Sequence, residues 1–249
     1  MNNWQSYAWG LRGVAAQFLV DLDCADALTQ LPKHDTLLYL TCLTRRPAGK
    51  DFSFWERRSL DSVFKKARRI LGDNILYVGR IDLPGQRRYY FYTDDARLLV
   101  ALSEYCVKER RLALTCTKAV EPNRQTYFRL LYPDAAKWQS VENAKAIARM
   151  AEHGDDLDAP RCVNFHLLFS SLAQDDPFLE QAKSLGFTVG RIDCDPTNPM
   201  PFSLILHKVA PLTVSALSPL TSKLISAAGE RQGVFSYWDA PLVPKKHIR

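Results

Sequence analysis

The first half of the chain alternates short apolar runs with one long amphipathic segment. Residues 14–22 (VAAQFLVDL) and 37–44 (LLYLTCLT) are rich in apolar and β-branched side chains and read as strands. In DFSFWERRSLDSVFKKARRILG, residues 51–72, the side chains Leu60, Val63, Phe64, Ala67, Ile70 and Leu71 recur at helical spacing and form one stripe. Ser53 and Glu56 stand at capping-box spacing before that stripe and Gly72 closes it. At about 100° per residue, Arg57, Arg58, Lys65, Lys66, Arg68 and Arg69 fall on the opposite side with Asp61 among them, so the helix carries a basic outer face. Two strands follow, ILYVGRIDL (75–83) and RRYYFYT (87–93), joined at Pro84-Gly85 as a hairpin. A second helix over 94–107, opening at Asp94 or Asp95, and strands at 111–117 and 126–132 complete the half. The order ββαββαββ predicts an α+β fold with helices against an antiparallel sheet.

Tyr132-Pro133-Asp134 interrupts the chain, and Asp134 is placed to cap a helix running to about Glu152. Its small apolar stripe, Ala144, Ile147, Ala148 and Ala151, predicts that it is packed. Beyond Gly154 the pattern gives a strand (162–170), a helix (177–185), strands (187–194 and 201–209), a helix opening at Ser218-Pro219 (219–231) and a short strand (234–238). The order βαββαβ is that of a ferredoxin-like sandwich. The predicted organisation is therefore two α/β-sandwich domains, 1–133 and 134–249, with 134–152 as a leading helix of the second. The loop holding Pro196, Asn198, Pro199, Met200 and Pro201 reads as a turn first and an interaction loop second.

Charge divides at the same place. Residues 1–133 hold 21 Lys and Arg against 14 Asp and Glu, a net +7; residues 134–249 hold 12 against 13, a net −1. The basic half invites an acidic partner, either nucleic acid or an acidic protein surface. The start of the chain lacks the pattern of a secretory leader, and no apolar run approaches the roughly 20 residues that span a bilayer, so a soluble cytoplasmic protein is expected. Six cysteines without a CxxC pair predict reduced thiols, with Cys42, Cys116 and Cys162 as small hydrophobes in strands.

The most chemically loaded stretch is HGDDLDAPRCVNFHLLFS, residues 153–170. His153, Asp155, Asp156, Asp158 and His166 could in principle ligate a metal, but acids ahead of a strand more often turn and cap the chain, and the spacing of an EF-hand loop is absent. No metal and no cofactor are expected. The five histidines show no paired spacing, and no Gly-x-Ser-x-Gly, P-loop or His-Glu-x-x-His occurs, so no catalytic residue is assigned. In the first half, Tyr89, Tyr90, Phe91 and Tyr92 follow Arg87 and Arg88. If one face of that strand were exposed, its aromatics would stack bases while the arginines and the helix cations Arg57, Arg58, Lys65, Lys66, Arg68 and Arg69 held phosphates or an acidic partner. If not, one pair of aromatics is core and the helix face is merely solvated.

Gly154-Asp155-Asp156-Leu157, Pro160-Arg161, Val163 and the strand ending in Phe169 resemble the opening of the bacterial family named regulator of ribonuclease E activity B. The Phe178, Ala182, Gly186-Phe187 helix exit and the closing Gly233-Val-Phe-Ser-Tyr-Trp238 extend the resemblance over about 140–243. Two departures stand out: Phe165-His166 where the family has His-Trp, and Ser236-Tyr237 where it has Asp-Gly. The first half is similar to a bacterial domain of unknown function found attached to this family, through Trp4, Tyr7, Val78-Gly79-Arg80 and Arg88 to Tyr92. The resemblance implies a ferredoxin-like, non-enzymatic protein that binds an endoribonuclease and lowers its activity. Asp155, Asp156, Arg161, His166, Tyr237 and Trp238 are the expected partner-binding residues. An immunity protein neutralising a nuclease toxin and an RNA-binding protein using the basic half are the alternatives. Arg161 is expected to pair with Asp155 or Asp156, or with a neighbouring carbonyl, near the surface, at about 0–1 kcal/mol.

Overall fold

The computed structural model describes residues 3–11, 13–47, 50–173 and 175–245. It divides into two compact units, Met1–Pro133 and Asp134–Arg249. Both are mixed α/β with antiparallel sheets, the class that the hydrophobic patterning predicts.

The first unit runs β1 (Trp4–Leu11), β2 (Val14–Asp21), α1 (Cys24–Gln30), β3 (Thr36–Leu43), α2 (Phe54–Leu71), β4 (Ile75–Leu83), β5 (Gln86–Thr93), α3 (Leu98–Lys108) and β6 (Ala113–Val120). The strands form one sheet in the order β1-β2-β4-β5-β3-β6. Leu60, Val63, Ala67 and Leu71 of α2 are buried, so the stripe read from the sequence packs on the sheet, with Phe64 and Ile70 at its half-buried margin. They join Leu38, Leu40, Cys42, Tyr89 and Phe91 in one cluster. The hairpin turn lies at Pro84-Gly85 as expected. In β4 a bulge falls at Gly79, whose φ is 153°; a Cβ there would collide with the Leu19 carbonyl oxygen, so the neighbouring strand approaches as only glycine allows.

Three expectations fail in this unit. β1 and α1 had no place in the reading: β1 buries only Tyr7, and the seven-residue α1 only Cys24 and Leu28, too few to mark a period. The second helix opens at Leu98 rather than Asp94 or Asp95, because the Asp95 carboxylate accepts from the Arg97 backbone N–H (2.9 Å) and holds a turn there. Residues 126–132, read as a strand, form instead a π-helical turn over Thr126–Leu131. Buried Glu121 fixes it, accepting from Thr126 N (2.9 Å), Thr126 Oγ1 (2.6 Å) and Tyr92 Oη (2.7 Å). Tyr127 and Leu131 thereby cover the sheet face opposite the helices, where Tyr7, Phe18, Val20, Tyr90 and Tyr92 are buried.

The second unit runs α4 (Ala135–Glu152), β7 (Arg161–Phe169), α5 (Pro177–Ser184), β8 (Thr188–Cys194), β9 (Phe202–Ala210), α6 (Val214–Gly229) and β10 (Gly233–Asp239). After the leading helix this is βαββαβ, with sheet order β10-β7-β9-β8, a ferredoxin-like sandwich. Val163, Phe165, Leu167, Phe169, Leu204, Leu206 and Phe235 point to one face, against Phe178, Leu179, Leu217 and Leu224 of the helices. α6 starts four residues or more before the expected site: Thr213 caps it by accepting from Ala216 N (3.3 Å), and Pro219 lies inside the helix. Pro219 therefore lies beyond the first turn and removes one donor from an established ladder. Helix α4 is packed as expected, with Ile147 buried, but through a different side. Ala144 and Ala148 are exposed, and the buried side is Ser140, Asn143 and Ile147. Asn143 is fully buried and four-coordinate: it donates to Thr221 Oγ1 (3.0 Å) and Ser218 Oγ (3.3 Å) and accepts from Trp238 Nε1 (2.8 Å) and Gln139 Nε2 (3.0 Å). A polar seam, invisible to hydrophobic periodicity, therefore joins α4 to α6 and β10.

All six cysteines are free. Cys24 and Cys42 are buried, and burial pushes both thiols up to about 12. Cys116 is half-buried, and Cys162, expected as a strand hydrophobe, is exposed on the sheet face away from the helices. Among the described residues no helix is long and apolar enough to cross a membrane.

The capping box of α2 reaches further than its spacing implied. Ser53 Oγ accepts from Glu56 N (3.3 Å), and Glu56 accepts from Ser53 N (2.8 Å), Arg45 N (2.9 Å) and Thr44 Oγ1 (2.8 Å). Burial pushes the Glu56 carboxyl up, but these donors outweigh it and hold its pKa at about 2, below the ordinary 4.5. A depressed carboxylate pKa stabilises the fold fully above about pH 4.5 and loses that contribution as the pH falls towards 2. Glu56→Gln is expected to destabilise the protein by about 1–3 kcal/mol at pH 7. In melting curves recorded from pH 7 to 2, the gap between variant and parent should close below pH 4.5; a gap independent of pH would refute the role of the charge.

Candidate functional site

The sheet of the second unit has one face under its helices and one face without them. Strand alternation sends Cys162, Asn164, His166 and Leu168 of β7 to the second face. The register sets Asn164 beside His207 and His166 beside Ile205 on β9, and Tyr237 beside His166 and Asp239 beside Asn164 on β10. These neighbours bond in a line across the strands. His166 Nε2 lies 2.6 Å from Asp239 Oδ2, Asn164 Nδ2 donates to Asp239 Oδ1 (2.7 Å), and Asn164 Oδ1 lies 2.8 Å from His207 Nδ1. The Tyr237 ring stacks on His166 at 4.1 Å with the planes 11° apart. A Cβ at Gly190, in the bulge of β8, would collide with the His207 ring, so glycine leaves the imidazole its place. Around this line Val209 (68%), Tyr237 (53%) and Val234 (51%) are exposed. The face is pre-ordered by hydrogen bonds and rimmed by apolar side chains.

One extra residue in β10 decides which aromatic belongs to it. The register shifts between Phe235 and Tyr237, so Phe235 and Trp238 face the helices while Tyr237 faces out. Trp238, expected to meet a partner, instead turns inward, half-buried, to donate to Asn143.

Asp155 and Arg161 are also displaced from the partner-binding set. Asp155 is 1% exposed and Arg161 6%. Arg161 Nη1 bonds Asp155 Oδ1 (2.6 Å) and the Pro241 carbonyl (3.1 Å), Nε bonds the Ala159 carbonyl (3.1 Å), and Nη2 bonds the Asp156 carbonyl. Asp156 serves through its backbone, its N–H donating to the Val243 carbonyl (2.7 Å). Lys245 N donates to the Gly154 carbonyl (3.1 Å), and Asp155 bridges Pro244. The expected pairing of Arg161 is present, but the expectation of a weak surface pair is wrong: the pair is buried and clamps residues 241–245 to the entrance of β7. His153 stands apart, its Nδ1 2.7 Å from the Arg149 carbonyl at the end of α4.

In the first unit the cations divide. Arg87 pairs in bidentate fashion with Asp82 (Nη2–Oδ2 2.7 Å), and Arg88 bonds Thr41 Oγ1 (3.1 Å) and lies over the Tyr39 ring. Tyr89 to Tyr92 are all buried: Tyr89 and Phe91 pack under α2, and Tyr90 and Tyr92 lie on the face that the π-helical turn covers. The proposed stacking strand therefore presents no base platform. Arg57 pairs with Asp51 at the rim of a cleft of about 520 Å³ between α2 and the β1–β2 hairpin. Arg80 and Arg87 line that cleft opposite Asp82, so its charge is balanced internally. Arg58, Lys65, Lys66, Arg68 and Arg69 remain exposed on α2. Phe54 and Trp55 beside them, outside the sequence-predicted candidates, are 66% and 71% exposed. Their signal was two aromatics in the first turn, off the apolar stripe.

Among the described residues no group of three or more His, Cys, Asp and Glu side chains could hold a metal ion. The family described as regulator of ribonuclease activity B matches residues 140–239, from within α4 to the end of β10. The match bears out the resemblance of the second half; the first unit lies outside it. No curated protein matches the chain.

Removing one member of the Arg161–Asp155 pair strands a buried charge. Arg161→Ala is expected to destabilise the second unit by about 3–5 kcal/mol, read as a lower melting temperature and faster proteolysis after residue 240. A loss below about 1 kcal/mol would return the pair to the surface class.

Proposed function

We propose that the second unit is a protein-binding regulator that lowers the activity of a ribonuclease of the ribonuclease E type, and that the nuclease docks on the helix-free face of the sheet. The observation that carries this reading is the family match over residues 140–239, which takes in all four strands of that sheet. The chemistry of the face supports it. An exposed tyrosine held by stacking, flanked by exposed valines, is a surface suited to protein contact, where aromatic anchors dominate affinity. His166, Asp239, Asn164 and His207 are already bonded to one another, which limits the ordering that association costs. The reading assigns no bond-making or bond-breaking step to the chain.

The test uses the full chain and purified ribonuclease E, with cleavage of a fluorescent RNA as the readout. The parent should inhibit, and Tyr237→Ala combined with Val209→Asp should raise the inhibitory concentration roughly tenfold or more with an unchanged melting temperature. Inhibition by the parent that the double variant retains would move the docking surface elsewhere. Absence of inhibition, together with protection against a toxin nuclease, would replace the regulator with an immunity protein.

A further inference from the structure

We propose that the outer face of α2 binds single-stranded nucleic acid, independently of the ribonuclease surface on the second unit. Arg58, Ser62, Lys65 and Arg69 follow one another at helical spacings of four, three and four residues, so they share one face, with Lys66 beside them. With Asp61 they line a cleft of about 410 Å³ whose side chains are all charged or hydroxyl-bearing. Asp61 is its one carboxylate, against four cations.

At one end of this row stand Phe54 and Trp55. Their rings meet edge to face at 5.3 Å and 77°, and the Arg58 guanidinium lies 5.9 Å from both ring centroids. Cations on a helix surface are satisfied by water alone. Two large aromatics, each about two-thirds exposed at the end of the same row, are not. From Trp55 to Arg69 the helix rises about 21 Å. Such a row holds several consecutive phosphates while the aromatics stack the bases at one end, the combination by which single strands are bound without sequence preference. An acidic protein would satisfy the cations equally, but protein hot spots sit in desolvated, well-packed pockets, and the cleft beside these aromatics is lined by charged and hydroxyl-bearing side chains with no apolar residue among them. Lys66 is partly committed, its Nζ lying 4.9 Å over the Tyr105 ring, which also fixes its position on the face.

The experiment is fluorescence anisotropy on the full chain with a labelled twelve-nucleotide oligouridylate. Oligodeoxythymidylate of the same length and a ten-residue polyglutamate peptide serve as comparison ligands. The RNA is expected to bind at low salt, with log K falling against log salt at a slope of about −3 for four neutralised phosphates. Trp55→Ala and Lys65→Glu/Arg69→Glu should each weaken binding roughly tenfold or more, with unchanged circular dichroism and unchanged ribonuclease inhibition. Tyr237→Ala should leave RNA binding intact, so the two surfaces fail separately. Equal binding of the DNA oligomer supports a backbone-and-stacking site, and preference for RNA supports one that also contacts the ribose. No binding at 50 mM salt, binding that survives both variants, or polyglutamate bound as tightly as RNA would overturn the proposal, the last in favour of an acidic protein.

Discussion

A β-strand sends successive side chains to opposite faces, and the two halves of this chain differ in what covers the second face. In the first unit both faces of the central strands are covered: α2 and α3 lie over one, and the Thr126–Leu131 turn lies over the other. Every aromatic from Tyr89 to Tyr92 is consequently core. In the second unit the helices take one face, and the other presents a bonded line of His166, Asp239, Asn164 and His207 under the Tyr237 ring. Whether a side chain is structural or available to a partner follows from that coverage, and in β10 a single bulged residue decides it for Tyr237 and Trp238.

The covering layers are held by a few buried polar groups whose partners are far apart in sequence. Glu121 ties the π-helical turn to Tyr92, Glu56 ties α2 to the loop after β3, and Asn143 ties α4 to α6 and β10. Such groups are costly to bury without partners and specify one arrangement when they have them. Arg161 belongs with them: its three nitrogens collect one carboxylate and three carbonyls at the mouth of β7.

This explains which features the sequence discloses. The stripe of α2, its Ser53–Glu56 box, the 75–93 hairpin and the βαββαβ order are local patterns, and local periodicity records them. Edge strand β1 buries one side chain and leaves almost no pattern. Residues 126–131 carry strand-like aromatics, and the Glu121 carboxylate that holds them in a helical turn is itself fixed by Tyr92, twenty-nine residues away on β5. The candidate residues divide in the same way. His166 and Tyr237 reach the surface, whereas Arg161 is held in part by the Pro241 carbonyl, eighty residues away. Phe54 and Trp55 were legible as aromatics outside the helix stripe; what gives them meaning is the exposure that only packing reveals.

The clamp at Arg161 has a consequence for synthesis. The first unit contains all six strands of its own sheet and can close once Pro133 has left the ribosome. The second cannot complete its sheet until β10 has emerged to pair with β7, and its entrance remains unclamped until residues 241–245 follow. During translation, therefore, the first unit can be complete while the β7 edge of the second still lacks its partner strand.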